Sequence, residues 1–384
     1  MEQASIVIVG AGLSGLYAAH LLERLGVADV VLLEARGLVG GRIASAAAPA
    51  AVAAVAGFDR FDLGPTWFWP EQQRELHRLV DEMGLQRFAQ YDEGDMLYER
   101  APGEAPVRMR GYVSAPQSMR LVGGMNALTD ALRGRLRTTR IVTGQTVRRL
   151  RNTADHVEVE SVDGAGASTT WRAAHVLLAL PPRLAAAGIV YEPALPAPLA
   201  RAWAATGTWM APHAKYVAIY DEPFWRAQGL SGSARSGSGP LGEIHDASMP
   251  GGSAALFGFL GVPARTRRRL TEDVLLTHCR AQLTRLFGPK ADAPRAEFIK
   301  DWSKDALTAT PADLDAGGDH GHIPAPAPAS GPWQGRLGAI ASEWSPRFPG
   351  YVAGAIDAAE LGVRAWQRSQ HGADAKAVSV GSPA

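Results

Sequence analysis

Gly10, Gly12 and Gly15 stand at the spacing G-x-G-x-x-G, directly after the apolar run Ser5–Gly10 (SIVIVG) and at the head of a helical stretch. In that setting the first glycine permits the tight turn and the second lets a pyrophosphate approach bare backbone. The third lets helix and strand pack closely. The exposed N–H groups and the helix dipole supply the positive end that a diphosphate needs. Glu34 lies 19 residues beyond Gly15, at the end of a second apolar run, Asp29–Ala35, where its carboxylate can accept both hydroxyls of a ribose. A glycine hexad alone is a weak signal; strand, helix and acid together read as a dinucleotide site. Arg36 follows the acid, and then a second glycine turn, Val39-Gly40-Gly41-Arg42. A nicotinamide gains nothing obvious from a second turn, whereas a long flavin nucleotide can use its backbone and Arg42 to hold phosphates. The implied chemistry is redox.

Other reactive side chains read more plainly. Lys215 lies among alternating apolar neighbours in Ala214–Val217, and by itself it suggests an edge-strand lysine in solvent. The single cysteine, Cys279, shares a helical stripe with Leu275, Leu283 and Leu286 and reads as buried packing. The ten histidines show no metal-ligand spacing, and His278, His320 and His322 read as surface or loop residues. Ser5 and Ser14 lack a nucleophile-elbow context.

The elements that must position these groups begin with a β-α-β unit: a strand at Ser5–Gly10, a helix from about Leu13 to Leu25 and a strand at Asp29–Ala35. Its short connections favour a parallel pair. Residues 44–57, almost all Ala and Val, read as a weakly determined loop and strand excursion. Helices are expected over Gln72–Met83, Met125–Leu136, Thr271–Phe287 and about Gly350–Trp366. Strands are expected at Ile141–Leu150, Val157–Val162, Val176–Leu180 and Tyr216–Tyr220, with short strand-like pieces over 85–122. The Gly/Ser-rich Gly229–Gly239 reads as a mobile loop or the turn of a long hairpin, and Pro324–Ser330 as a stiff connector.

The chain has 384 residues, enough for two modest domains. With 39 basic and 38 acidic residues and no polybasic face, nucleic acid is not an expected partner. One cysteine excludes an internal disulfide framework. No apolar run reaches 18 residues, and the first strand begins almost at Met1, so the expectation is a cytoplasmic protein without a membrane anchor.

Further motifs follow in order: Asp62-Leu63-Gly64-Pro65-Thr66-Trp67, Gly123-Gly124-Met125, Thr146–Leu150, Val176–Pro182, Lys215 ahead of Glu222-Pro223-Phe224-Trp225-Arg226, Ala341-Ser342-Glu343 and Gly350-Tyr351-x-x-Gly354-Ala355. With GAGLSGL, LLEAR and VGGR before them, they resemble the flavin-containing amine oxidase family, which includes monoamine, polyamine and L-amino acid oxidases. The resemblance implies an α/β fold, with a Rossmann-like FAD-binding domain assembled from discontinuous segments and an inserted α+β substrate domain. The FAD pieces are expected at 1–78, 122–204 and 335–384, and the substrate domain at 79–121 and 205–334. The stretch from Leu79 to Leu121 is shorter than in monoamine oxidases, so the helical block that roofs their site looks truncated.

The same resemblance implies roles. Gly64 and Val147 would touch the cofactor, Val147 at the adenine end. Glu343 would hydrogen-bond backbone or sugar hydroxyls, and the closing helix at Gly350 and Tyr351 would direct its N–H groups at the flavin. Lys215 would hold a water at the flavin, acting in reoxidation or proton handling. Tyr351 resembles one wall of an aromatic cage that orients an amine. The family's second tyrosine and its flavin-linking cysteine fall near Pro311 and Ala312, so FAD is expected to be non-covalent, with Trp302 or Trp67 left to complete the cage. Trp67 stands where amino acid oxidases commonly carry an arginine, which argues against an amino acid substrate. The expected activity is oxidation of a small amine with O2 as acceptor, giving H2O2. A dehydrogenase or desaturase of the same fold and an L-amino acid oxidase are the alternatives, and whether the protein is a homodimer is left open.

Overall fold

The computed structural model describes residues 2–49, 59–101, 103–111, 113–315 and 323–380, with side chains as far as residue 370. The chain forms two compact units: residues 1–41, 129–209 and 318–384, and residues 42–128 and 210–317.

The first unit is built on an eight-stranded sheet. Its strand order is Val190–Glu192, Thr146–Thr153, His156–Val162, Ser168–Leu178, Glu2–Val9, Val30–Leu33 and Arg140–Val142, with Leu337–Ala339 also pairing Ser168–Leu178. Glu2–Val9 sits at the centre, parallel to both neighbours. Its residues Ile6–Val9 and all of Val30–Leu33 are buried, as continuous branched apolar runs require when helices cover a parallel sheet. The helix Leu13–Arg24 follows the first strand. The closing helix, Val352–Val380, runs well past the expected end at Trp366 and packs on that first helix, where the Tyr17 hydroxyl donates to Glu360 at 3.0 Å.

The expected strand Ile141–Leu150 is two strands. Arg140–Val142 pairs Val30–Leu33 at one edge, and Thr146–Thr153 lies toward the opposite edge. Between them Gly144 takes φ +71°, and the N–H groups of Gly144 and Gln145 donate to the carbonyls of Arg36 and Glu34 at 2.9 and 2.8 Å. A left-handed glycine breaks the run within the polar stretch Thr143–Thr146.

Beside this sheet, Glu23 closes the first helix onto the loop that precedes Arg140. Its carboxylate accepts from the backbone N–H groups of Arg137, Thr138 and Thr139 at 2.7–3.1 Å. Burial pushes the carboxyl up, but these donors together outweigh it and hold the pKa at about 2 against 4.5. A depressed folded-state value stabilises above pH 4.5 and loses that stabilisation as pH falls toward 2. Glu23→Gln should therefore lower stability at neutral pH by about 1 kcal/mol and flatten the acid side of a plot of Tm against pH. Parallel curves for the two proteins would count against this account.

The second unit carries a seven-stranded sheet in the order Ala296–Asp301, Ala214–Tyr220, Ala254–Leu260, Leu241–Asp246, Leu230–Ser236, Asp95–Glu99 and Val107–Arg110. Helix Glu272–Phe287, N-capped by Thr271, covers one face through Leu275, Cys279, Leu283 and Leu286, so Cys279 is packing as expected. Gly229–Gly239, expected as a mobile loop or the turn of a long hairpin, holds one arm of a hairpin and its turn: Leu230–Ser236 pairs antiparallel with Leu241–Asp246 and parallel with Asp95–Glu99, and only the turn into Leu241 is loop. Small residues there are demanded by packing, since a Cβ at Gly232 would lie 2.8 Å from the Trp225 indole nitrogen.

Residues 42–78, expected with the dinucleotide segments, belong to this second unit. Ser45–Ala47 pairs with Arg60–Asp62, and Phe61 packs with Val217, Ile219 and Phe257. The remainder of the 44–57 excursion, from Ala50, lies outside the described residues, as do His320 and His322. Pro324–Ser330 forms no helix or strand.

Candidate active site

In the first unit the two glycine turns meet. Gly12 caps the first helix in extended backbone (φ −72°, ψ −178°), and Gly40 donates its N–H to the Ala11 carbonyl at 2.8 Å. Gly12 and Gly40 form an isolated parallel bridge, and a Cβ on Gly41 (φ +61°) would lie 3.1 Å from the Gly12 Cα. A Cβ on Gly12 would meet nothing nearer than 3.9 Å, whereas one on Gly15 would lie 2.0 Å from the Gly10 carbonyl oxygen. Gly15 is therefore required by helix–turn packing, and the bare face of Gly12 is room the protein itself does not fill. The first-turn N–H groups of Leu13, Ser14 and Gly15 have no intrahelical acceptors.

Glu34 is 3% exposed, and its two oxygens accept from the N–H groups of Ala11 at 2.7 Å and Arg36 at 2.9 Å. Each oxygen keeps a lone pair for a ribose hydroxyl. The Arg36 guanidinium lies 3.8 Å from the same carboxylate. Val147 is buried in the strand that leaves the Gly144 turn. These residues fit a nucleotide.

Elsewhere in this unit Glu343 is buried in the turn Ser342–Trp344 and accepts from the Ser342 hydroxyl at 3.1 Å. Gly350, at φ +82°, donates to the Ser342 carbonyl at 3.1 Å, and Tyr351 precedes the closing helix with 40% of its surface exposed. Its ring packs on Trp209 at a centroid distance of 4.4 Å and a tilt of 48°. A Cβ on Gly350 would lie 2.9 Å from the Trp209 ring, so this glycine makes room for an indole. Sequence reasoning missed Trp209; the only trace was a glycine before Tyr351.

In the second unit Lys215 lies inside the sheet, paired on both sides, and is 2% exposed. The solvent-facing edge-strand reading is overturned. Its ammonium donates to the carbonyls of Asp62 at 3.0 Å and Gly64 at 2.7 Å and to the Thr66 hydroxyl at 2.6 Å. It also sits 4.3 Å above the Phe257 ring. Burial, and the nearby Arg120 guanidinium, push the lysine down to about 7, with Asp62 acting in the opposite sense. Burial likewise pushes the Asp62 carboxyl up, against the attraction of Lys215 and Arg120.

The Asp62–Thr66 loop is also held by Trp302, whose indole N–H donates to the Leu63 carbonyl at 3.0 Å while Lys300 covers its ring at 4.4 Å. Gly64 is needed because a Cβ there would lie 2.2 Å from the Arg42 carbonyl oxygen. Trp67 donates to Gln90 at 2.7 Å and packs on His245, Phe257 and Phe259. Trp67 and Trp302, offered from sequence as partners for Tyr351, both belong to the second unit; the ring packed on Tyr351 within its own unit is Trp209.

A nucleotide cradle on a parallel β-α-β unit, in a chain that also buries a lysine of lowered pKa among carbonyls and aromatics, defines a dinucleotide-dependent oxidoreductase. The sequence profile of the flavin containing amine oxidoreductases matches residues 107–365, and that of a NAD(P)-binding Rossmann-like domain matches residues 8–83. The first match covers more than half of the chain, which therefore belongs to the flavin-containing amine oxidoreductase family; it is a flavin-dependent enzyme with FAD as cofactor.

A probable flavin-containing monoamine oxidase A of Dictyostelium discoideum is 27% identical over 258 residues, 63% of this chain and 51% of that protein. Putrescine oxidase of Kocuria rosea is 24% identical over 433 residues, 83% of this chain and 86% of that protein. The chain thus spans about half the length of the first relative and most of the second. A solved putrescine oxidase redesigned in its cofactor binding superposes with a TM-score of 0.76 at 21% identity, covering 95% of this chain and 99% of that one. Cyclohexylamine oxidase from Brevibacterium oxydans gives 0.73 at 18% identity, covering 96% and 99%. Both share the fold. Among the described residues no helix is long and apolar enough to cross a membrane, and no group of three or more His, Cys, Asp or Glu could hold a metal.

Proposed function

We propose that the protein oxidises a small amine with O2 as the final acceptor. Bound FAD supplies the hydride acceptor: the carbon bearing the amine gives up hydride, the imine is hydrolysed to a carbonyl compound, and O2 takes the electrons to give H2O2. The observation that carries this reading is a lysine buried inside the sheet with its pKa lowered to about 7.

The first unit is the FAD domain and the second the substrate domain. The helix N-terminus after Gly12 would hold the pyrophosphate, Glu34 the ribose, and Gly41, Arg42 and Arg36 would steady the nucleotide. Val147 packs against the adenine end. The first-turn N–H groups after Tyr351 would offer the flavin a positive dipole end, and Glu343 and Gly350 would shape that approach. Tyr351 orients the amine through its ring face. Lys215 handles protons and, through its bonds to Asp62, Gly64 and Thr66, fixes the loop that carries Trp67; Trp302 braces the same loop.

FAD is held without a covalent bond. The single cysteine is buried in a helix stripe, and burial pushes its thiol up to about 12, far from a nucleophile at neutral pH. Acid precipitation should release all the yellow colour into the supernatant, whereas a yellow pellet would overturn non-covalent binding. For the activity, a panel of primary amines, polyamines and amino acids scored by anaerobic flavin bleaching, then by O2 uptake and peroxide, is decisive. Bleaching without O2 consumption would move the enzyme to the dehydrogenases, and bleaching by amino acids alone would make it an amino acid oxidase.

A further inference from the structure

The loop that holds Lys215 also buries a carboxylate. Lys215 donates to the main-chain carbonyl of Asp62 at 3.0 Å, and the side chain of that same residue is buried in the second unit. Asp62 Oδ1 accepts from the Ser45 hydroxyl at 2.9 Å and the Met125 N–H at 2.7 Å. Its Oδ2 has no hydrogen-bond partner among the described residues. A Cβ on Gly124 (φ +73°) would lie 2.8 Å from Oδ1, so the Gly123-Gly124-Met125 turn stays bare to admit this carboxylate.

Arg120 is a third buried charge. Its Nη1 and Nη2 donate to the carbonyls of Ser248 and Ala247 at 3.1 and 2.8 Å, and its Nε has no acceptor among the described residues. Carbonyls satisfy hydrogen bonds without cancelling charge. Asp246 also attracts Arg120, but its carboxylate already accepts from Trp225 and Arg226. Other charges on the lysine's side of the sheet pair among themselves. Lys300, opposite Lys215 in register, bonds Asp305 at 2.9 Å. Glu243, beyond Phe259, meets His245 at 2.7 Å and Arg235 at 3.3 Å. The charges that act on Lys215 are Asp62, which favours the ammonium, and Arg120, which opposes it. An arginine keeps its proton, so loss of the anion would leave the lysine to give up its own.

We propose that Asp62 is a positioning residue for Lys215: its buried carboxylate keeps the ammonium charged beside Arg120, so that the lysine enters flavin reoxidation as a cation. The inference rests on the reading of Lys215 as a reoxidation group and names what sustains its charge.

The chain has five lysines, so isotope-edited NMR of the lysine Cε in the FAD-loaded protein can follow each, and Lys215→Met assigns the signal. Its titration midpoint, about 7 in wild type, should fall by about one pH unit or more in Asp62→Asn and rise in Arg120→Met. The asparagine keeps an oxygen for Ser45 and Met125. Stopped-flow reoxidation of dithionite-reduced flavin, which needs no amine, should lose rate at correspondingly lower and higher pH. Loosening of the core would instead move both midpoints up, toward that of a solvated lysine. An unchanged or raised midpoint in Asp62→Asn would therefore overturn the proposal, while amine oxidation, read from anaerobic bleaching, would stand. Should that variant not fold, Arg120→Met decides alone: a raised midpoint with native near-UV circular dichroism supports the pair, and an unchanged one overturns it. Midpoints that shift as expected without the reoxidation rates following would remove Lys215 from reoxidation, and the role of Asp62 with it.

Discussion

Gly12→Ala is expected to give a folded protein that binds FAD roughly 10- to 100-fold more weakly, while Gly15→Ala is expected not to fold. The two glycines belong to one motif and differ by what surrounds them. At Gly15 a methyl group would lie 2.0 Å from the Gly10 carbonyl oxygen and 3.3 Å from the Ala179 side chain. Neither backbone can retreat, because Gly10 itself needs φ +105° and donates to Leu33 at 2.7 Å. A clash of that kind in the central β-α-β unit should cost about 4 kcal/mol or more. At Gly12 the backbone is extended, any residue can adopt it, and the new methyl finds no protein atom within 3.9 Å. Whatever it obstructs must be the ligand. Circular dichroism melts and the flavin-to-protein absorbance ratio separate the two effects. A Gly12→Ala protein that retains full colour through a dilution series would refute the placement of the pyrophosphate.

Lys215→Met is expected to slow reoxidation of the reduced flavin by O2 about 100-fold, with anaerobic reduction by amine changing less than about tenfold. In the cationic form all three N–H bonds already have acceptors in Asp62, Gly64 and Thr66. The charge is thus fixed before negative charge develops during reduction of O2, and a fixed charge needs no reorganisation. With its pKa lowered to about 7, the lysine is cationic below that value and neutral above it. The reoxidation rate should therefore fall as pH rises through about 7 in wild type and be flat there in the methionine variant. Stopped-flow mixing of reduced enzyme with O2 across that range measures both features. Equal reoxidation rates in the two proteins would remove Lys215 from the reaction.

The nucleotide site was legible because its parts are local. Gly10 to Gly15, Glu34 and Gly40 to Arg42 lie within one β-α-β unit and its following turn, where short spacing dictates geometry. The strands Glu2–Val9 and Val30–Leu33 and helix Glu272–Phe287 were equally plain, since their apolar periodicity matches the face they bury. Thr146–Thr153 was read as one strand with Arg140–Val142; the polar Thr143–Thr146 and the left-handed Gly144 separate them, and their places at different edges of the sheet depend on long-range pairing. Leu230–Ser236 was read within a loop or hairpin turn because its glycine and serines carry no strand propensity, yet pairing on both sides makes it a strand.

Lys215 shows the limit most clearly. Its neighbours alternate as they would on any half-exposed strand, so the residues around it favoured solvent, and only resemblance to a family argued otherwise. Its burial comes from residues 62–66 and Phe257, more than 40 positions away in either direction. The pairing of Tyr351 with Trp209 is likewise long-range. The linear chain determined that this protein binds a dinucleotide, through local turns and periodic faces. Tertiary structure decided what surrounds the lysine and which ring supports Tyr351, because those contacts depend on strand register and on packing between distant segments.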